Sequence, residues 1–202
     1  MTEPPTSSPA AQEARRQALE AALALLRQGK RELAMQRCVA ILADDPTDAD
    51  ALYYCAVIAI QEQQVPEGIR IIERALQVGP PQARLYNLMG QAQLRLRRPD
   101  DALLCFERAI VCDPGFADAH GNRANVLADF GRRAEALEAF DQALAVRPDN
   151  AEDLHNRAAL LAELSRFPEA LEGCDRALTV QPDFPDAQRL HAKLLRRLGP
   201  TQ

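Results

Sequence analysis

Five cysteines, three histidines and two adjacent aspartate pairs are the residues of this chain with the makings of chemistry. Cys38, Cys55, Cys105, Cys112 and Cys174 are odd in number, hold no Cys-x-x-Cys pair and have no histidine at ligand spacing. Cys105 and Cys112 can share one helix face, but two sulfurs without further ligands make a poor zinc site. His120, His155 and His191 stand too far apart in the sequence to form a metal cluster unaided. Asp44 with Asp45, and Asp100 with Asp101, read as solvated surface rather than as a general acid and base. No phosphate-binding glycine loop, Gly-x-Ser-x-Gly elbow or His-Glu-x-x-His helix occurs. The residues therefore predict no catalytic group, no metal and no cofactor, and thiols that act as small buried hydrophobes.

Composition narrows the partners in the same direction. The formal charge of -5 is spread through interspersed acids and bases, so no basic field exists to neutralise a run of phosphates, and nucleic acid is not expected. The most apolar stretch, 51–60, is about half the ~20 residues that a membrane-spanning helix needs. Residues 1–8 hold no positive start followed by an apolar run and read as a disordered Pro/Ser-rich tail rather than a signal peptide. Reduced thiols agree with a cytoplasmic location. Only two of the 24 basic residues are lysines, an arginine bias that points to a GC-rich bacterial genome.

The elements that position these residues follow from a period. Pro46, Pro80, Pro114, Pro148 and Pro182 recur every 34 residues. The same interval relates Ala22, Ala56, Gly90, Ala124, Ala158 and Ala192. It also relates Ala34, Gly68, Ala102, Ala136 and Ala170, and then Ala75, Ala109, Ala143 and Ala177, with Ile41 as the exception in the first copy. Small residues at facing places let two antiparallel helices approach closely. Short turns are expected around Gly29, Gln63, Arg97, Gly131 and Ser165, where glycine can end a helix in a left-handed conformation; Gln63 and Arg97 depart from that glycine. Each proline follows a second helix and forbids its continuation. Thr47 with Asp50, Asp149 with Glu152, and Asp183 with Asp186 are the expected N-terminal caps, and Ser8 followed by Pro9 opens a first helix that runs to about Gln28.

This pattern resembles the tetratricopeptide repeat family over nearly the whole chain, most closely in the fourth copy with Ala124, Gly131, Ala136, Phe140, Ala143 and Pro148. The resemblance implies an all-α fold, a right-handed α-solenoid of helix-turn-helix repeats over residues 9–199. Its copies would run 15–48, 49–82, 83–116, 117–150 and 151–184, closed by a capping helix over 185–198. Arg189, Lys193, Arg196 and Arg197 would keep that last helix solvated.

In the resembled family the first helices line a concave groove. The places implied for a ligand are Tyr53, Tyr54 and Val57, then Asn87, Leu88 and Gln91, then Gly121, Asn122 and Asn125, and last His155, Asn156 and Ala159. Asparagine is a middling helix former, so packing does not explain its recurrence. Its amide can donate to one backbone carbonyl and accept from one N–H, which suits an extended peptide. Asn122 and Asn156 share a phase and resemble the asparagine ladder in the tetratricopeptide part of O-linked N-acetylglucosamine transferases; the alternative is that they are plain solvated residues. Tyr53, Tyr54 and Val57 with Leu19, Leu23 and Ile60 make the N-terminal half more apolar, a place for a hydrophobic anchor. The expected function is a protein-interaction scaffold for a peptide or partner segment. Its rivals are a substrate-recruiting arm of a glycosyltransferase-like system, whether cut from a longer chain or acting in trans, and self-association.

Overall fold

The structure is a computed structural model that describes residues 9–199; the expected tail 1–8 and the cap assigned to Ser8 lie outside the described residues. Among the described residues there are eleven helices and no strand, in two compact units that divide between Arg97 and Arg98. The first unit holds α1 (Pro9–Arg27), α2 (Arg31–Asp44), α3 (Ala49–Gln61), α4 (Val65–Val78) and α5 (Ala83–Arg95). The second holds α6 (Pro99–Cys112), α7 (Ala117–Asp129), α8 (Arg133–Val146), α9 (Ala151–Glu163), α10 (Phe167–Val180) and α11 (Pro185–Leu198). The fold is an all-α solenoid of helix-turn-helix repeats, each helix packed on its sequence neighbour within its unit.

Local chemistry explains both joints of the repeat. Within a pair, the turn passes through one left-handed residue: Gly29 (φ 74°), Gln63 (63°), Arg97 (57°), Gly131 (72°) and Ser165 (61°). The next residue donates back across the turn, as in Lys30 N to Leu25 O, Gln64 N to Ala59 O, Arg132 N to Leu127 O and Arg166 N to Leu161 O, each at 2.9 Å. These bonds satisfy carbonyls that a helix end would leave orphaned. Between pairs, each periodic proline stands two residues beyond the end of a second helix. It forces the residue before it into extended backbone, with φ between -131° and -146° at Asp45, Gly79, Asp113, Arg147 and Gln181.

The caps differ from the expectation by one residue. Asp48, not Thr47, caps α3 by accepting from Ala51 N at 2.9 Å, while the Thr47 hydroxyl donates to Asp45 Oδ1 at 2.7 Å. Asn150, not Asp149, caps α9 by accepting from Glu152 N and Asp153 N. The residue before α11 is Phe184, and it makes no side-chain cap bond. In each case the cap is the residue directly before the helix, Asp48 before Ala49 and Asn150 before Ala151.

The small-residue columns are where the helices cross. Ala22, Ala34, Ala56, Ala75, Ala102, Ala109, Ala124, Ala136, Ala143, Ala158, Ala170 and Ala177 are all fully buried. Ile41 is also covered, packed with Leu19 and Ala51, so the first copy takes the larger side chain into its crossing. In the second unit the core centres on Phe106 and Phe140. Replacing such a buried ring by alanine typically costs about 3 to 5 kcal/mol.

The cysteines divide. Cys38, Cys55 and Cys174 are buried, with Cys38 and Cys55 in one cluster beside Ala22. Contact with Cys38 and burial push the Cys55 thiol above its ordinary range, and burial pushes Cys174 up to about 11. Cys112 is exposed and Cys105 half-buried, a correction to the expectation of buried thiols. Cys112 is the last residue of α6, and the equivalent last residues Val78, Val146 and Val180 are exposed too. Among the described residues no helix is long and apolar enough to cross a membrane.

Candidate partner-binding faces

In the first unit the side chains expected to meet a ligand come from the first helices of each pair, α1, α3 and α5. Tyr53 and Tyr54 are adjacent on α3, their rings edge to face at 5.3 Å. Tyr53 is half-buried beneath the Arg84 guanidinium of α5, 4.9 Å from its ring centroid. Tyr54 turns the other way and packs against Leu19, Ile41 and Ala51. It borders a depression of about 730 Å³ between α1 and α3, with Leu19 and Leu23 as apolar floor and Arg16, Glu20 and Asp50 at the rim. Val57 is half-buried, Gln91 is exposed, and Asn87 is covered, with 7% of its surface open.

A charge network ties these helices together. Arg15 of α1 bonds the buried Asp48 and reaches Asp50 at 2.7 Å, while Asp50 also pairs with Arg84 of α5. Burial alone would raise the Asp50 carboxyl. The bonds from Arg84 and Arg15 outweigh it and hold the group below the usual carboxylate range.

In the second unit α7, α9 and α11 lie side by side. Asn156 Nδ2 on α9 donates to Asn125 Oδ1 on α7 at 3.1 Å, so these two expected residues are brought together across the helix boundary. The bond uses one N–H and one lone pair, and a primary amide carries two of each. Asn125 is exposed, and Asn122 and Asn156 are half-buried. His155 lies with its ring 5.0 Å from that of Phe184, and burial lowers its pKa. Gly121 is buried.

Beside Gly121 sits a carboxylate that the sequence reading passed over. Asp153 is only 6% exposed, and its Oδ1 would lie 2.6 Å from any Cβ at position 121. Gly121 is therefore the space that Asp153 occupies. Asn150 Nδ2 donates to Asp153 Oδ2 at 2.7 Å, and Arg147 stands 4.0 Å away. Burial wins over the Arg147 charge and raises the carboxyl to about 6. A signal existed: the equivalent residues Ala51, Leu85, Ala119 and Ala187 are apolar and buried, and only Gln17 in the first copy is polar, at an exposed place. A lone acid in that column marks an interior charge. Among the described residues no group of three or more His, Cys, Asp or Glu side chains could hold a metal ion.

Comparison with known proteins extends these observations. A family described as tetratricopeptide repeat matches residues 10–92 and 127–194, and a second family of the same description matches residues 87–151. No curated protein matches the chain. Among solved structures, YrrB, described as a tetratricopeptide protein with an unusual peptide-binding site, is 27% identical; the match covers 87% of this chain and 90% of that one at a TM-score of 0.63. PilF of Pseudomonas aeruginosa is 22% identical over 93% of this chain and 85% of its own, with a TM-score of 0.84. TTC0263 of Thermus thermophilus is 24% identical over 90% of this chain and 99% of its own, with a TM-score of 0.72.

Proposed function

The chain belongs to the tetratricopeptide repeat family, and from that premise we propose that it holds an extended segment of another protein on its first-helix faces. In the second unit Asn122, Asn125 and Asn156 would bond the backbone of that segment. In the first unit Tyr54 and Val57 beside Leu19 and Leu23 would take an apolar anchor, with Gln91 further along. Tyr53, Asn87 and His155 serve as walls in this reading, because each is at least half-buried against its surroundings. The observation that carries it is the Asn156 to Asn125 bond. It fixes two amides in one orientation while leaving hydrogen-bonding capacity on each, which lowers the entropy lost on capturing a backbone. The peptide-binding site ascribed to YrrB supports the same reading.

The test is a displayed peptide library selected on the parent chain and repeated on a variant with Asn122, Asn125 and Asn156 all changed to alanine. Selected peptides should bind the variant at least about tenfold more weakly, with helicity and thermal unfolding nearly unchanged. Equal binding by the variant refutes the amide face. The shared phase of Asn122 and Asn156 favours a second reading, recruitment of substrates for a glycosyltransferase-like partner; a transferase encoded beside this chain or continuous with it would favour that role.

A further inference from the structure

At the end of the second unit, a cleft of about 670 Å³ opens between α9, the start of α10 and α11. Its floor is apolar: Ala159 and Ala162 of α9, Phe167 of α10, and Leu190 of α11. Its rim is cationic. Lys193, Arg196 and Arg197 of α11 all line it and are all exposed, and Arg197 lies over the Phe167 ring at 5.3 Å. The one acid of the lining, Glu163, is paired with Arg133 at 3.4 Å. A protein of net charge -5 thus gathers three cations around an open apolar hollow.

Solvation of a terminal helix and compensation of its dipole account for part of this pattern. Arg196 and Arg197 stand in the last turn of α11, where cations are favoured. Lys193 lies outside that turn, and dipole compensation gives no reason to leave an aromatic ring and a leucine partly open beneath the charges. The repeat period sharpens the point. No other first helix has a cation at the places equivalent to Lys193 or Arg196, and the places equivalent to Phe167 hold Arg31, Val65, Pro99 and Arg133. The ring and two of the three charges, Lys193 and Arg196, are peculiar to this place, while Arg197 has counterparts in Arg27 and Arg95.

We propose that this cleft docks an internal segment of a partner protein in which one apolar side chain is flanked by carboxylates. The apolar side chain enters the hollow against Phe167 and Leu190, and the flanking carboxylates meet Lys193, Arg196 and Arg197. Charge complementarity identifies the partner, since the lining carries three exposed cations and its one acid is already paired. A bilayer is disfavoured because the apolar residues form a recess, which a flat membrane surface does not fill. The proposal rests on the reading that the first-helix face of the second unit receives partner segments, for Ala159 lies less than one turn along α9 from Asn156.

The probe is a fluorescein-labelled peptide, acetylated and amidated, with one phenylalanine between two pairs of glutamates. It is titrated against the full chain by fluorescence anisotropy. Saturable binding is expected, weakened by about tenfold or more in the double variant Lys193→Glu with Arg197→Glu and in Phe167→Ala, and retained in Lys193→Arg. Replacing the peptide's phenylalanine by alanine, or its glutamates by glutamines, should each weaken binding by a similar factor. The triple asparagine variant should bind this short probe as the parent does, which separates failure of the cleft from failure of the amide face. The proposal is overturned by an absence of saturable binding, by equal binding of a peptide with lysines for glutamates, or by an unchanged double variant that keeps its helicity. It is equally overturned if the double variant loses sedimentation with phosphatidylserine vesicles, or loses a concentration-dependent dimer, that the peptide does not compete away.

Discussion

A single side chain, Asp153, shows how far one residue can depart from its repeat without breaking it. Wherever else its column is buried the residue is apolar, and Asp153 is admitted because Gly121 vacates the facing place and Asn150 supplies a donor. Its pKa of about 6 in the folded chain lies above the ordinary carboxylate value. The native state therefore binds more protons than the unfolded one between roughly pH 4 and 6. This group's contribution to stability is accordingly greatest in acid and declines as the pH rises through 6. Asp153→Asn removes the titration while keeping an oxygen for Asn150. At pH 7.5 the variant should be more stable than the parent by about 1 to 2 kcal/mol in urea unfolding, with the gap closing towards pH 4.5. A gap that widens in acid would show that Asp153 is stabilised as a charge. The sequence alone could not reveal this, since a carboxylate three residues into a helix reads first as a partner for the helix dipole.

At the scale of elements, the joints were more legible than the caps. A 34-residue period locates all five left-handed turns whatever residue occupies them, because the backbone geometry repeats even where Gln63, Arg97 and Ser165 replace glycine. Those three carry a steric cost that Gly29 and Gly131 avoid. Gln63→Gly and Ser165→Gly should each raise stability by about 0.5 to 1 kcal/mol, the relief of strain exceeding glycine's extra unfolded freedom. Unchanged or lower urea midpoints would contradict this. The caps of α3 and α9 read one residue early because two capping side chains stand together before each, Thr47 with Asp48 and Asp149 with Asn150. Which of them is used depends on the rotation that buries Ala51 or Ala151, and rotation is a property of packing. The first-helix faces suffered similarly: Tyr53 and Tyr54 are neighbours in sequence, yet a turn of about 100° per residue sends one under Arg84 and the other towards α1.

For the molecule as a whole, a stack of helix pairs gains its stability from nearest-neighbour burial, so protection should follow the local core rather than be uniform. The second unit has a continuous core from Ala102 to Leu194 around two fully buried phenylalanines, whereas α1 and α2 rest on smaller clusters about Leu19, Ile41 and Cys38. Hydrogen exchange should therefore be slower in α7 to α10 than in α1 and α2 by at least about tenfold; uniform protection would mean the chain opens only as one cooperative body. The repeat order was readable throughout because small residues and prolines recur in one register. The charged cleft was not, since it depends on how α11 is turned against α9 and the start of α10, which the period does not state. In the first unit, Asp50 receives Arg15 from one side and Arg84 from the other, and so rivets three successive first helices at one edge. Flexing there cannot be confined to a single joint, and added salt, by weakening both pairs at once, should soften that edge as a whole.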